Sequence, residues 1–252
     1  MFILQISESF RRASAIKIEG LNSPRHIPRE GNVMSIIEEI DSHEQEVLSG
    51  LQPEGLNSCP ACNTRPCTFH LHESRYRIFY VIIECFVLRK ESCLGRWKCV
   101  SCEKTFTYYP YYALPFKRYV KGDMVLFCQK YLTNDNATYV SAATFGSATI
   151  AYTNSKDEKV INERTFTGST IWRWVQCFGS LEKLLKKGLD LIRQKDVTST
   201  IFRKVWLVKK SKYKTNERKT LLEKCLKLFD AENEYKKLFK ISLFPDLAIK
   251  YP

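Results

Sequence analysis

Four of the ten cysteines in this chain form two close pairs, Cys59-Pro-Ala-Cys62 and Cys99-Val-Ser-Cys102. Thirty-six residues separate the two pairs. Two residues between cysteines allow both sulfurs of a tight turn to reach one metal ion, and four thiolates in two such turns are what a tetrahedral Zn²⁺ site needs. The spacing therefore predicts that Zn²⁺ is bound by Cys59, Cys62, Cys99 and Cys102.

Other roles for these cysteines remain open at this stage. They could be buried free thiols or, less readily in a chain without signs of secretion, a disulfide framework. Cys67, His70 and His72 lie between the two pairs and are alternative metal ligands. Because two complete pairs already close a four-ligand site, the paired cysteines are the primary assignment.

The charge of the chain favours a polyanionic partner. The formal net charge is +13, from 40 Lys and Arg against 27 Asp and Glu. The excess lies in residues 59–130, with 12 basic and 5 acidic side chains, and in residues 181–252, with 19 and 9. Such an excess most often indicates nucleic acid. A solvated, lysine-rich surface is the alternative for much of the C-terminal part.

The sequence does not predict a membrane or secreted protein. The longest apolar run, residues 78–88, is interrupted by Glu84 and is too short to cross a bilayer. Charges from Glu8 onward argue against a signal peptide. We therefore expect a cytoplasmic, nucleoid-associated protein with no membrane partner. In that compartment the unpaired cysteines pack as small hydrophobes, namely Cys67, Cys85, Cys93, Cys128, Cys177 and Cys225.

The elements around the cysteines predict an α+β fold, a small zinc β-ribbon followed by a mainly helical, helix-turn-helix-like region. Residues 1–55 are an acidic, partly disordered segment with one helix opening at Met34, and translation could start at Met1 or at Met34. Residues 56–115 are the ribbon, with strands at 76–88, 95–99 and 105–109. Residues 116–195 are helical, and residues 196–252 are a basic helical tail. A ribbon of this size holds little core, so we expect the metal to supply folding free energy.

The helical region carries the pattern of a DNA-reading helix. Helices are predicted over 120–131, 138–145 and 167–178, and a fourth over 181–192. In the third, apolar side chains recur at i, i+3, i+4 and i+7 and face a core, namely Ile171, Trp174, Val175 and Phe178. The opposite face carries Ser169, Trp172, Arg173 and Gln176. Arginine can read guanine and glutamine can read adenine in the major groove. The alternative is an ordinary packing helix.

The tail combines a basic cluster with a predicted helix over 216–240. The cluster could bind phosphate or could be a solvated linker, and it comprises Lys209, Lys210, Lys212, Lys214, Arg218 and Lys219. In the helix, Leu222, Leu226 and Phe229 form one apolar stripe.

Three phrases of the sequence resemble one class of bacterial protein. The ribbon phrase Arg96-Trp-Lys-Cys-Val-Ser-Cys-Glu-Lys-Thr-Phe-Thr107 resembles the zinc ribbons at the N-termini of insertion-sequence transposases. The phrases at 110–119 and 169–174 resemble transposon-associated proteins that join such a ribbon to a helix-turn-helix. The resemblance covers roughly residues 56–195 and departs from that pattern in a polar insert near 147–165. It implies binding to double-stranded DNA.

The resemblance does not imply strand transfer. A catalytic transposase core needs three carboxylates on an RNase-H-like fold of more than about a hundred residues, and only 72 residues follow residue 180. The sequence has no Gly-rich phosphate loop, Ser/His/Asp set or HExxH motif. We therefore expect a non-enzymatic DNA-binding protein of mobile-element origin, accessory or regulatory to transposition. In this interpretation Arg96, Lys98 and Lys104 contact phosphates, while the exposed face of the third helix reads bases.

Two alternatives differ in partner. Aromatic residues are dense around the ribbon and could stack on unpaired bases of RNA, namely Phe106, Tyr108, Tyr109, Tyr111 and Tyr112. The chain could instead be a transposase fragment whose catalysis needs a separate catalytic subunit.

Overall fold

The computed structural model describes residues 32–53, 56, 59–62, 68–153, 165–206, 208, 216–240 and 242–244. These residues form an α+β fold with six α-helices and a small mixed sheet, so the predicted fold class is confirmed at that level. Several predictions lie outside the described residues: the disorder predicted within residues 1–55, for the part before residue 32, a role for Cys67, and the Lys209–Lys214 part of the basic cluster. No helix in the described part of the chain is long and apolar enough to cross a membrane.

A long antiparallel hairpin is the centre of the sheet. Strand β1 (Phe69–Ile83) pairs with β2 (Phe86–Cys99), and the short β3 (Thr105–Thr107) continues the sheet beyond β2. The sequence predicted one strand over residues 76–88, but the chain reverses inside that run. Glu84 has a positive φ of 49°, which turns the backbone between the two strands. The apolar run therefore forms the ends of two paired strands.

Helix α1 (Asn32–Leu48) packs against this hairpin. Its Ile40 is fully buried in one cluster with Phe79, Val81 and Leu94. The Ser92 hydroxyl donates a hydrogen bond to the Ile40 carbonyl at 3.4 Å, and Lys90 forms an ion pair with Asp41. The helix predicted to open at Met34 is present, and its apolar side covers the sheet.

His43 is buried where α1 meets the segment after β3. Only 6 % of its surface is exposed, and its ring centroid lies 6.1 Å from those of Tyr108 and Tyr112. Burial lowers the pKa of His43 to about 4, although the Glu46 carboxylate lies 3.8 Å from Nδ1. The neutral imidazole is thus the form that fits between the two aromatic rings.

The burial of His43 predicts an acid-sensitive packing of α1. Below about pH 6.5 the unfolded chain takes up a proton on this residue, whereas folded His43 stays neutral down to about pH 4. The stabilisation is therefore complete above pH 6.5 and is lost progressively as the pH falls to 4, by up to roughly 3 kcal/mol. We expect His43→Phe to remove this part of the pH dependence, as measured by urea unfolding at several pH values. Parallel pH curves for the two proteins would contradict it.

The remaining helices form a bundle on the other side of the hairpin. They are α2 (Lys121–Thr133), α3 (Tyr139–Ala142), α4 (Gly168–Gly179), α5 (Glu182–Lys195), a 3₁₀ turn (Thr200–Phe202) and α6 (Asn216–Phe239). These bounds agree with the predicted helices except at α3. There a capping box between Thr138 and Ser141 starts the helix, but it ends at Ala142.

The polar insert predicted near residues 147–165 contains short strands where the structure describes it. Strands β4 (Thr144–Phe145) and β5 (Ala148–Thr149) form a small hairpin whose turn includes Gly146 at φ 59°. Strand β6 (Ala151–Thr153) then pairs in parallel with the start of β2, which makes the sheet mixed. The insert thus connects the bundle to the hairpin.

One apolar core, here called the bundle core, joins the helices to the sheet. Ile82 and Val87 from the hairpin belong to the same buried cluster as Trp174 on α4 and Leu222 on α6. Helix α6 packs so closely on α4 that a Cβ at Gly179 would lie 2.7 Å from Leu221 Cγ. Leu222 and Phe229 of the predicted tail stripe are buried, and Leu226 packs against them.

The segment Ser242–Phe244 is fastened to the bundle by a buried polar network. Glu232 on α6 accepts hydrogen bonds from the Ser242 hydroxyl at 2.6 Å and from the Leu243 amide at 2.7 Å. Lys121 at the start of α2 donates to Ser242 Oγ at 2.8 Å, and burial lowers the pKa of this lysine to about 8. Phe244 packs against Phe178 of α4, with ring centroids 5.7 Å apart.

Candidate metal centre

The two cysteine pairs meet at the end of the hairpin farthest from the Glu84 turn. Cys99 is the last residue of β2, and Cys102 follows it in a tight turn before β3. The first pair is brought there by Gln52, whose side chain accepts a hydrogen bond from the Phe69 amide at 3.2 Å and donates one to the Leu56 carbonyl at 2.6 Å. The segment before Cys59 is therefore tied to the start of β1.

Backbone hydrogen bonds shape both cysteine turns. In the first, the Ala61 amide donates to Cys59 Sγ at 3.3 Å. In the second, the Glu103 amide donates to the Cys99 carbonyl at 2.9 Å, and the Cys99 amide donates to the Lys104 carbonyl at 3.0 Å. Glu103 adopts a positive φ of 57°, the left-handed conformation that allows the chain to leave the turn as β3.

The sulfur positions fit a tetrahedral metal ion. Cys59 Sγ lies 3.6 Å from Cys102 Sγ, Cys62 Sγ lies 3.8 Å from Cys99 Sγ, and all four sulfurs lie within 4.8 Å of one another. A tetrahedron with metal–sulfur bonds of about 2.3 Å has edges of about 3.8 Å. The four predicted cysteines are thus close enough to hold one metal ion.

The four cysteines differ in burial, and burial affects the pKa of a thiol. Cys59 and Cys99 are buried, while Cys62 and Cys102 are more accessible. Burial raises the pKa of Cys59 to about 12 in the protein without a cation. A bound divalent cation stabilises thiolates and displaces their protons.

A small apolar cluster, the ribbon core, surrounds the cysteines. It consists of Leu56, Phe69, Trp97 and Phe106 together with Cys59 and Cys99, all buried. Phe69 and Phe106 meet edge to face with centroids 5.3 Å apart, and a Cβ at Gly95 would lie 2.5 Å from Trp97 Nε1. The sequence predicted little core in the ribbon but not which side chains form it. Trp97 is the largest of them and is fully buried.

The two histidines considered as alternative ligands do not join the cluster. His70 and His72 lie on β1 with exposed side chains, and neither belongs to the four-cysteine group. The other described cysteines also lie elsewhere. Cys93, Cys128 and Cys225 are buried, and Cys85 and Cys177 are half-buried. Their burial agrees with packing as small hydrophobes.

The predicted phosphate-contacting residues of the ribbon have different environments. Arg96 donates to Thr105 Oγ1 at 2.8 Å and lies 3.9 Å from the Glu73 carboxylate. Lys98 is partly exposed, 3.6 Å from Glu103, and Lys104 is exposed. The two lysines therefore face solvent beside the metal centre, while Arg96 is engaged within the sheet.

Helix α4 is divided into two faces as its sequence predicted. The side chains of Ile171, Trp174, Val175 and Phe178 are buried in the bundle core. Ser169, Trp172 and Arg173 are exposed, and Gln176 is half-buried. The helix begins after Thr167, whose hydroxyl bonds the Ser169 hydroxyl at 2.8 Å and not a backbone amide. The predicted reading face is available to a ligand.

Sequence reasoning missed two contributors to the metal centre. The Ala61 amide is one, and the left-handed Glu103 is the other. The spacing of the second pair carried a signal for a turn after Cys102, but a glutamate gives no indication of positive φ.

In comparisons with protein-family models, curated proteins and solved structures, nothing matches this chain.

Proposed function

We propose that this chain is a non-enzymatic, zinc-dependent protein that binds double-stranded DNA, and that it is accessory or regulatory to transposition. The observation that carries the DNA-binding part is the face of α4. It is an amphipathic helix whose apolar side is anchored in the bundle core and whose other side carries the exposed Ser169 and Arg173 and the half-buried Gln176. These are side chains that hydrogen-bond base edges.

Zinc is the metal that the site favours. Four cysteine sulfurs at tetrahedral spacing are a soft donor set that suits Zn²⁺ and leaves no coordination position open. A closed site of this kind has a structural role. In this proposal Cys59, Cys62, Cys99 and Cys102 hold the ion, which fixes the tip of the ribbon and the orientation of Lys98 and Lys104.

The helices around α4 support a helix-turn-helix interpretation. Helix α3 lies against the start of α4, since a Cβ at Gly168 would lie 2.7 Å from the Tyr139 carbonyl carbon. Tyr139 in turn stacks on Tyr131 of α2, with centroids 4.0 Å apart. Three helices thus contact one another in chain order, with the β4–β5 hairpin and β6 inserted before α4. In the proposed complex α4 lies in the major groove.

The environment of the aromatic residues favours DNA over single-stranded RNA. Phe106 and Tyr112 are buried, and Tyr108 and Tyr109 are half-buried. Among the five ribbon aromatics considered for stacking, Tyr111 has an exposed ring, at 49 %. A platform that stacks successive bases needs several exposed rings. RNA binding remains the second proposal, and a transposase fragment working with a separate catalytic subunit is the third.

The proposal predicts different results for Arg173 and Lys98. We expect Arg173→Ala to weaken binding to a selected duplex by about 1–3 kcal/mol, with little effect on a scrambled duplex, because it removes a base contact. Lys98→Ala should weaken both duplexes alike and reduce the salt slope by about one, because it removes a phosphate contact. The duplex is first selected from a random pool with the zinc-loaded protein. Binding is then measured by fluorescence anisotropy at two salt concentrations.

Arg203→Ala is the matched control, because Arg203 is exposed and lies outside α4. It removes the same charge and should change discrimination between the two duplexes little. Equal losses on both duplexes for Arg173→Ala would mean that α4 does not read bases. Failure to select any duplex, together with tighter binding of single-stranded RNA, would favour the second proposal.

A further inference from the structure

The outer edge of β1 is closed at its two ends and open in its middle. At one end the Phe69 amide donates to the side chain of Gln52. At the other, Tyr80 exchanges hydrogen bonds with the backbone of Arg118 and Val120, and the Ile82 amide donates to the Asp123 carboxylate at 2.6 Å. Between these ends, the described residues include no backbone partner for the outward groups of β1.

Backbone groups alternate in direction along a strand, and this alternation identifies the residues of β1 whose N–H and C=O groups point away from β2. Tyr80 and Ile82 direct their amides away from β2, and the register between the bulge and the Glu84 turn is regular. Ser74, Tyr76 and Ile78 therefore also direct their N–H and C=O groups outward. The exposure agrees: Ser74 is exposed, and 71 % of Tyr76 is accessible. An open strand edge of this kind pairs readily with another extended strand.

The charges along this edge are self-complementary. Glu73 and Arg75 flank Ser74 and lie on the same face of β1, where Arg75 Nη2 lies 2.8 Å from Glu73 Oε2. In an antiparallel pair of two β1 strands centred on Ser74, Glu73 of each copy lies opposite Arg75 of the other. Opposite charges directly across a sheet are stabilising, and like charges are destabilising.

The neighbouring registers are less favourable. A residue that directs its N–H and C=O groups outward must pair with another residue that does the same. The two-fold axis must therefore pass through a residue of β1, and the alternatives to Ser74 are its neighbours along the strand. A centre at Glu73 brings two glutamates together, and a centre at Arg75 brings two arginines together. A centre at Tyr76 places Arg75 opposite Arg77. The charge pattern thus selects one register, and the bulge between Leu71 and Glu73 ends the ladder on one side.

We propose that two copies of this chain pair antiparallel along β1, about a two-fold axis through Ser74. Each copy presents the same residues to the other, which is the isologous contact of a symmetric dimer. Two cross-strand ion pairs between Glu73 and the partner's Arg75 set the register. The ladder is short, so the dimer is weak and depends on concentration. The proposed dimer does not rest on the proposed function, and the experiment that tests it contains no DNA.

Sedimentation velocity of the metal-loaded protein over a wide concentration range tests this pairing. We expect the wild type to shift toward a dimer as concentration rises. Ser74→Pro should remain monomeric, because proline removes an outward N–H that bonds nothing in the described residues and places its ring toward the partner. Arg75→Glu should weaken the dimer at least about ten-fold, since it places glutamates opposite one another.

The decisive variant is the exchange Glu73→Arg with Arg75→Glu. It restores opposite charges across the two-fold axis and should recover the dimer that Arg75→Glu alone loses. Circular dichroism and metal content show whether each variant is folded. A wild type that stays monomeric at the highest concentration would refute the proposal. A folded exchange variant that fails to recover the dimer would also refute it, as would a dimer insensitive to both Ser74→Pro and Arg75→Glu.

Discussion

Cys99→Ser should abolish metal binding and unfold the tip of the ribbon. The substitution removes one of four sulfurs that lie within 4.8 Å of one another, and the remaining three leave the ion with an open position. Loss of a structural metal is among the largest single effects on stability, and we expect a fall of at least about 4 kcal/mol in the unfolding free energy of the tip. Metal content by mass spectrometry and thermal unfolding measure the two effects.

The packing of α1 on the hairpin limits how far this unfolding spreads. Phe79, Val81 and Leu94 are held against Ile40 of α1, away from the cysteines. We therefore expect hydrogen exchange to rise at the two cysteine turns and at β3, while the part of the hairpin under α1 stays protected. Cys85→Ser is the matched control, because Cys85 lies in the hairpin turn outside the cluster. An unchanged metal content in Cys99→Ser would disprove the ligand assignment.

Trp174→Ala should destabilise the bundle by about 3–5 kcal/mol, the range for removing a large buried aromatic side chain. Trp174 is 4 % exposed, and its ring centroid lies 4.9 Å from that of Tyr119 and 5.4 Å from that of Phe166. Tyr119 precedes α2 and Phe166 precedes α4, so the substitution removes contacts between three parts of the chain. Urea unfolding followed by circular dichroism measures the loss.

Trp172→Ala on the same helix is the matched control. Its side chain is 43 % exposed, so the same truncation should change the unfolding free energy by about 0.5 kcal/mol or less. If the proposed function is right, Trp172→Ala should alter DNA binding more than stability, and Trp174→Ala the reverse. Similar destabilisation by both variants would mean that the two faces of α4 are not divided as described.

Local patterns in the sequence predicted the parts of the fold that depend on local spacing. The i, i+3, i+4 recurrence in α4 is a property of one helix, and its buried and exposed faces are as predicted. The two cysteine pairs likewise predicted the four-cysteine cluster, because a CxxC turn brings its own two sulfurs together. That both pairs share one ion was an inference, and the distances between the sulfurs in the structure are consistent with it.

The features that were missed depend on contacts between distant residues or on backbone conformation. The run over 76–88 has the composition of one strand, and nothing in its hydrophobicity marks Glu84 as left-handed. The members of the ribbon core were not predicted because Leu56 and Trp97 join one cluster only when the hairpin packs with the segment before it. Helix α3 was predicted too long because Thr144 and Phe145 favour a strand once Gly146 turns the chain.

The fastening of Ser242–Phe244 to the bundle has a consequence for the order of folding during synthesis. Leu243 and Phe244 are almost fully buried, and Leu243 fits closely over Gly188 of α5. The bundle core therefore cannot be completed until these residues have left the ribosome. The described ribbon contacts lie between residues 52 and 108, so the cysteine site can assemble much earlier. Domains formed early in translation fold first, and metal loading of the nascent chain would thus precede the final packing of α4.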